Sequence, residues 1–214
     1  CDENAKPGWH AEWKIDDRRG YLETERDIHL RYTDLTSGAE AHTAEAWVAL
    51  PGGGGNETAW IPRVMVRRRS DEDLESTFTG IIEAYEGASL ISGIRRLGLE
   101  WSDGRACPES NVALEIELVD GRKDLIIALD VEKLQESEFA HALVVQKDWG
   151  VQCEAELCLI RKSAEDIVEG IVLCRGESVQ VGGQALILKE KTEFVEVRYD
   201  GGEPIVVAGS GEVV

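Results

Sequence analysis

Arg67, Arg68 and Arg69 form the one cationic cluster in a chain with 42 acidic against 23 basic residues and a net charge of −19. Guanidinium forks match carboxylate and sulfate groups bidentately, so this triplet could hold a polyanion. On a strand Arg67 and Arg69 share one face and Arg68 opposes them. The competing reading is a salt-bridged edge strand neutralised by Asp71, Glu72 and Asp73, and the proximity of those acids favours it. A second group comprises Glu83, Tyr85 and Glu86 with Arg95 and Arg96. A carboxylate and a tyrosine at a strand-end turn could contact sugar hydroxyls; the favoured reading is structural, with Glu83 pairing with Arg95 or Arg96 across a hairpin while Tyr85 seals the turn. Of the six tryptophans, Trp60 and Trp149 lie beside loop residues and are the better candidates for an exposed, sugar-stacking ring, but for each a core position is favoured over a platform. Trp9 and Trp13 fall at core parity.

Histidines and cysteines point to no catalytic or metal site. The four histidines are scattered, with no H-x-x-x-H and no C-x-x-C. No Ser-His-Asp motif, phosphate loop or dinucleotide fingerprint is present. The five cysteines, Cys1, Cys107, Cys153, Cys158 and Cys174, are too few for a disulfide scaffold. Cys153 and Cys158 differ by an odd number, so a regular strand sends them to opposite faces. Cys158 and Cys174 read onto adjacent strands, where buried free thiols are favoured over a disulfide. Cys1-Asp2-Glu3-Asn4 would suit the lipid-carrying start of a mature bacterial lipoprotein, hence an extracellular or periplasmic protein. The favoured reading is that Cys1 marks where a longer chain was cut.

The elements that must carry these residues are strands. Trp9, Ala11, Trp13 and Ile15 alternate with His10, Glu12 and Lys14; Ile28, Leu30 and Tyr32 alternate with His29, Arg31 and Thr33. Further strands are expected over 43–50, 61–69, 76–83, 90–100, 111–119, 123–130, 139–147, 151–161, 167–174, 179–181, 185–189, 194–199 and 205–208. Hairpin signals stand at Asp120-Gly121, Gly182-Gly183 and Asp200-Gly201-Gly202. Pro51 and Gly52 to Gly55 read as a flexible loop followed by a formal Asn56-Glu57-Thr58 acceptor. Only Val131 to Glu138 could form a short helix, with one turn at Ser70 to Leu74. The pattern predicts an all-β protein, a large antiparallel two-sheet β-sandwich of about a dozen strands forming a single domain over 1–214. At 43% hydrophobic and 30% charged the composition is globular. No apolar run reaches the ~18 residues of a transmembrane helix, and the acidity disfavours nucleic acid and anionic membranes.

The block Glu75 to Leu99, ESTFTGIIEAYEGASLISGIRRLGL, with Arg67 to Arg69 upstream, resembles the C-terminal β-rich region of heparinase II/III-type polysaccharide lyases. There a Ser-Thr-Phe strand runs into a Glu-(Pro)-Tyr turn and then an Arg-Arg-Leu strand; here Ala84 stands in the proline position. The resemblance spans Trp9 to Gly209 and is most specific over Arg67 to Leu99. In such lyases the β-elimination acid and base, a tyrosine and a histidine, sit on an N-terminal (α/α) toroid, of which these residues contain no repeat. Some relatives add a histidine from the sandwich; His10 and His29 lie early enough, but no flanking motif carries the role to either. The resemblance therefore implies a non-catalytic sandwich domain without metal or cofactor, supporting the cleft for an acidic polysaccharide beside a catalytic toroid. Arg67, Arg69, Tyr85, Glu83, Arg95, Arg96 and Trp60 are the candidate substrate contacts. A stand-alone carbohydrate-binding module and a lipid-anchored surface protein are the alternatives.

Overall fold

Period-two alternation becomes fifteen strands in the computed structural model, which describes residues 2–15, 17, 20–49, 58–130, 132, 143–210 and 213. The chain packs as two compact units, Cys1–Ala88 and Ser89–Val214. In the first, β1 (Asp2–Ala5), β4 (Ala39–Ala49) and β5 (Thr58–Arg67) form one three-stranded sheet in the order β1-β4-β5. The other, in the order β2-β3-β6, contains β2 (His10–Lys14), β3 (Ile28–Asp34) and β6 (Gly80–Glu86). The second unit is a nine-stranded sheet. Its main path runs β15 (Glu203–Gly209), β14 (Gln184–Asp200), β13 (Val168–Val181), β12 (Val151–Lys162), β10 (Lys123–Ala128), β9 (Val112–Leu118) and β7 (Ile91–Leu97). The short strands β11 (Val144–Gln146) and β8 (Glu100–Trp101) branch from β12. The pairings are antiparallel throughout, and the fold is all-β, consistent with a β-sandwich.

The hairpins form where glycine permits positive φ. Gly201 and Gly202 sit at φ 60° and 92° between β14 and β15, the left-handed pair that a type I′ turn requires and that β-carbons resist. Inward residues of the second unit, among them Leu125, Ile127, Ile160, Leu173, Val195 and Val197, make one continuous buried cluster. In the first unit Leu35 and Ala39 are buried, and Asp34, with no exposed surface, is held by the Thr36 amide and the Tyr32 and Thr36 hydroxyls.

Several expectations change. Glu83 to Gly87 is not a turn: Glu83, Tyr85 and Glu86 lie within β6, which pairs with β3, while Arg95 and Arg96 lie on β7, which pairs with β9. The pattern 167–174 and 179–181 is one strand, β13, because the break between them is a register shift rather than a turn. Ser70 to Leu74 contains no helical turn. Residues 50–57, which include the glycine run and Asn56, lie outside the described residues, as does the expected helix apart from Glu132. On β12 the buried positions are Val151, Cys153 and Ala155, then Cys158, Ile160 and Lys162. The parity switch accompanies a register shift in the β12–β13 pairing between Glu154 and Ala155, and Cys153 and Cys158 both enter the core, where the neighbouring Cys153 thiol and burial push the Cys158 thiol up. Cys174 stands opposite Leu157, not Cys158, and all four described cysteines are free thiols.

Candidate functional site

The polar face of the β2-β3-β6 sheet gathers the densest set of titratable groups. Cross-strand register puts Glu12 beside Arg31, and Arg31 beside Glu83; His29 is opposite Lys14 and Tyr85. Arg31 donates to Glu12 Oε2 from Nε at 3.0 Å and from Nη2 at 2.7 Å, and its Nη2 also donates to the Tyr85 hydroxyl at 3.0 Å. Tyr85 in turn donates to Glu12. The His29 ring stacks on Tyr85 with centroids 5.1 Å apart. Its Nδ1 faces Glu12 at 3.1 Å and its Nε2 faces Asp27 at 3.2 Å. The Tyr85 and Arg31 hydrogen bonds hold the Glu12 carboxyl at about 2. Burial, then the Glu12 hydrogen bond, push the Tyr85 phenol up. Tyr85 is thereby a hydrogen-bond donor, poorly suited to act as a base. The network ties three strands together.

The β4–β5 ribbon carries a second cluster. Arg67 donates to Glu40 Oε2 from Nε at 3.0 Å and Nη2 at 2.6 Å, and Arg69 Nε lies 3.4 Å from Glu40 Oε1. His42 Nε2 is 3.1 Å from the same Oε2. Two guanidinium groups therefore share one carboxylate. Arg67 and Arg69 reach Glu40, not Asp71, Glu72 or Asp73, because antiparallel register sets Glu40 directly across from Arg67. Trp47 and Trp60 form a cross-strand pair on this ribbon and are 56% and 65% exposed.

Between the apolar face of the β2-β3-β6 sheet and β5 lies a cleft of about 670 Å³, lined by Trp13, Leu30, Tyr32, Val64, Phe78 and Ile82, with Arg63 as its charged member. Ile82 is 70% exposed. Such a lining offers few polar partners for a sugar and suits apolar side chains.

In the second unit Arg95 donates from Nε to Glu115 Oε1 at 2.6 Å, and the Trp149 indole donates to Glu115 Oε2 at 2.7 Å. The Lys162 ammonium lies 4.7 Å from the Trp149 ring centroid. Trp149 is 7% exposed, in keeping with the core position favoured for it over a sugar platform: the Gln146 side chain accepts its backbone N–H and folds the loop inward. Arg96 donates to the Glu109 carbonyl. The fold thus separates the candidate residues: Glu83 and Tyr85 on one face, Arg67, Arg69 and Trp60 on the ribbon, Arg95 and Arg96 in the other unit. Glu12, His29, Arg31, Glu40 and Trp47 are the additional members. Alternation marks the polar face of β2 and β3, but only register shows that Glu40 serves Arg67.

Among the described residues, no group of three or more His, Cys, Asp and Glu is arranged to hold a metal ion, and no helix is long and apolar enough to cross a membrane. The fold and clusters define an all-β antiparallel protein with a cationic ribbon and an apolar cleft in its first unit. No protein-family model matches the chain, and no curated protein matches it.

Proposed function

We propose that the chain is a non-catalytic β-domain of a heparinase II/III-like polysaccharide lyase, which supports the cleft for an acidic polysaccharide. The observation that carries this reading is the sharing of one carboxylate, Glu40, by Arg67 and Arg69. One of these two cations is uncompensated within the pair, in a chain that otherwise repels polyanions. The apolar cleft beside β5 supports a neighbouring catalytic domain as the partner, since a lining of this kind is covered by protein more readily than by sugar. The closed Glu12–Tyr85–Arg31 network supports the absence of catalysis, because its phenol is directed at a carboxylate. The test is an assay of the chain on heparin, chondroitin and alginate, with and without the polypeptide encoded upstream. Unsaturated product is expected only when the upstream polypeptide is present; product from the chain alone would overturn the reading.

A stand-alone carbohydrate-binding module is the second reading, favoured by the exposed Trp47–Trp60 pair. A glycan array distinguishes the two. Tight binding that depends on Trp60 supports the module, and Trp60-independent binding supports the lyase domain.

A further inference from the structure

We propose that β15 is a self-association edge, pairing antiparallel with β15 of a second copy of the chain about a two-fold axis at Val206. β15 belongs to the second unit and the Arg67–Arg69 ribbon to the first, so this pairing does not rest on the polysaccharide reading. β15 is the last strand of the nine-stranded sheet: β14 pairs with one side of it, and among the described residues no strand pairs with the other. Backbone groups on an open side of this kind are the template that an added strand uses. The side chains agree with the backbone. Ile205, Val206 and Val207 are 48%, 40% and 45% exposed, three apolar residues in a row. Val197 on β14 is fully buried and stands directly opposite Val206, so the core runs out in the single step from β14 to β15. One more strand would continue it.

The edge is firmly held. Gly209 ends β15 at φ 86°, where a β-carbon would meet the Phe194 carbonyl, and that carbonyl accepts from the Ser210 amide at 3.0 Å. The Thr192 hydroxyl donates to the Ser210 carbonyl just beyond it. What selects a second copy is the order of residues in Glu203-Pro204-Ile205-Val206-Val207-Ala208-Gly209. Antiparallel pairing about Val206 sets Val206 against Val206, Ile205 against Val207, Pro204 against Ala208 and Glu203 against Gly209. Apolar side chains therefore meet across the whole centre. Glu203, the charged residue of the strand, faces glycine. Its two copies stand about 20 Å apart, six steps of about 3.3 Å, which is about twice the Debye length at physiological salt. Val207 is the extra residue where the β14–β15 register shifts, so the edge twists there and the added pairing is short.

The test is sedimentation velocity of the whole chain from about 1 to about 100 µM, the range of a weak association. The expected species has twice the chain's mass of 23.6 kDa, and its share rises with concentration. With a charge of −19 on each copy, association should also strengthen as salt is raised. Val206→Lys and Val206→Glu each set like charges face to face at the two-fold and should weaken association at least about tenfold. Mixed one to one, the two variants should dimerise again, a recovery that a folding defect would not give; circular dichroism checks each variant alone. A monomer at every concentration, a dimer that survives both substitutions, or variants that stay apart when mixed would overturn the proposal.

Discussion

Replacing Glu115 by alanine should destabilise the second unit by about 2–4 kcal/mol, through Trp149 and not through Arg95. The carboxylate joins an exposed guanidinium to a buried indole. Arg95 is 61% exposed in its side chain and returns to water at little cost. Trp149 has no such exit. Its N–H would lose its acceptor in the interior, which costs about 1–3 kcal/mol, and the lost side-chain methylenes add roughly 1 kcal/mol. Glu115→Gln keeps an acceptor oxygen at the same reach and should cost about 1 kcal/mol, the difference between a charged and a neutral acceptor. Urea unfolding followed by tryptophan fluorescence and circular dichroism reads these values. A cycle with Trp149→Phe isolates the pair: coupling of about 1 kcal/mol or more is expected, and additivity within about 0.5 kcal/mol would refute the assignment.

Acid should loosen the first unit through Glu12. Its carboxyl is depressed from 4.5 to about 2, so its contribution is full above pH 4.5 and disappears as pH falls toward 2; Glu12→Gln should flatten the loss of stability in that window, measured by urea melts at pH 3 and pH 6. A β-carbon at Gly176 would collide with Ala155 across the β12–β13 pair, including the Ala155 Cα at 2.9 Å, so Gly176→Ala should cost about 1–3 kcal/mol in a thermal melt. Ile82→Glu should leave the stability of the isolated chain within about 0.5 kcal/mol, since the side chain is already mostly in water. With the catalytic domain proposed as its partner, the same substitution should lower lyase activity; a stability loss in the chain alone would show that the cleft is core.

Local chemistry made much of the fold legible. Alternation in 10–14 and 28–34 and the glycine pairs at 182–183 and 201–202 pointed to strands and hairpins that form there. Non-local events were hidden. The buried parity of β12 switches between Ala155 and Cys158, next to a register shift in the β12–β13 pairing, so Cys153 and Cys158 share one core although their spacing is odd, and no residue type between them announces it. The resemblance to the lyases places Tyr85 at a Glu-(Pro)-Tyr turn, yet β6 continues to Glu86 by pairing with β3. The site was half visible. Arg67 and Arg69 stood out by charge, but their partner is 27 residues upstream of Arg67, and nearby Asp71 to Asp73 were the more obvious candidates. A core position is the favoured reading for both Trp60 and Trp149; Trp149 is buried with its indole on Glu115, whereas Trp60 is 65% exposed on the β4–β5 ribbon.

The proposed function places an acidic polysaccharide on the cationic ribbon end. Its most direct measurement is heparin binding by the chain and by Arg67→Ala/Arg69→Ala across ionic strengths from 50 to 200 mM, at the lower of which charge contacts are least screened. Saturable binding by the parent chain is expected, weakening with salt and lost in the double variant, with an unchanged fold. Equal binding by the two proteins, or none by the parent, would contradict it.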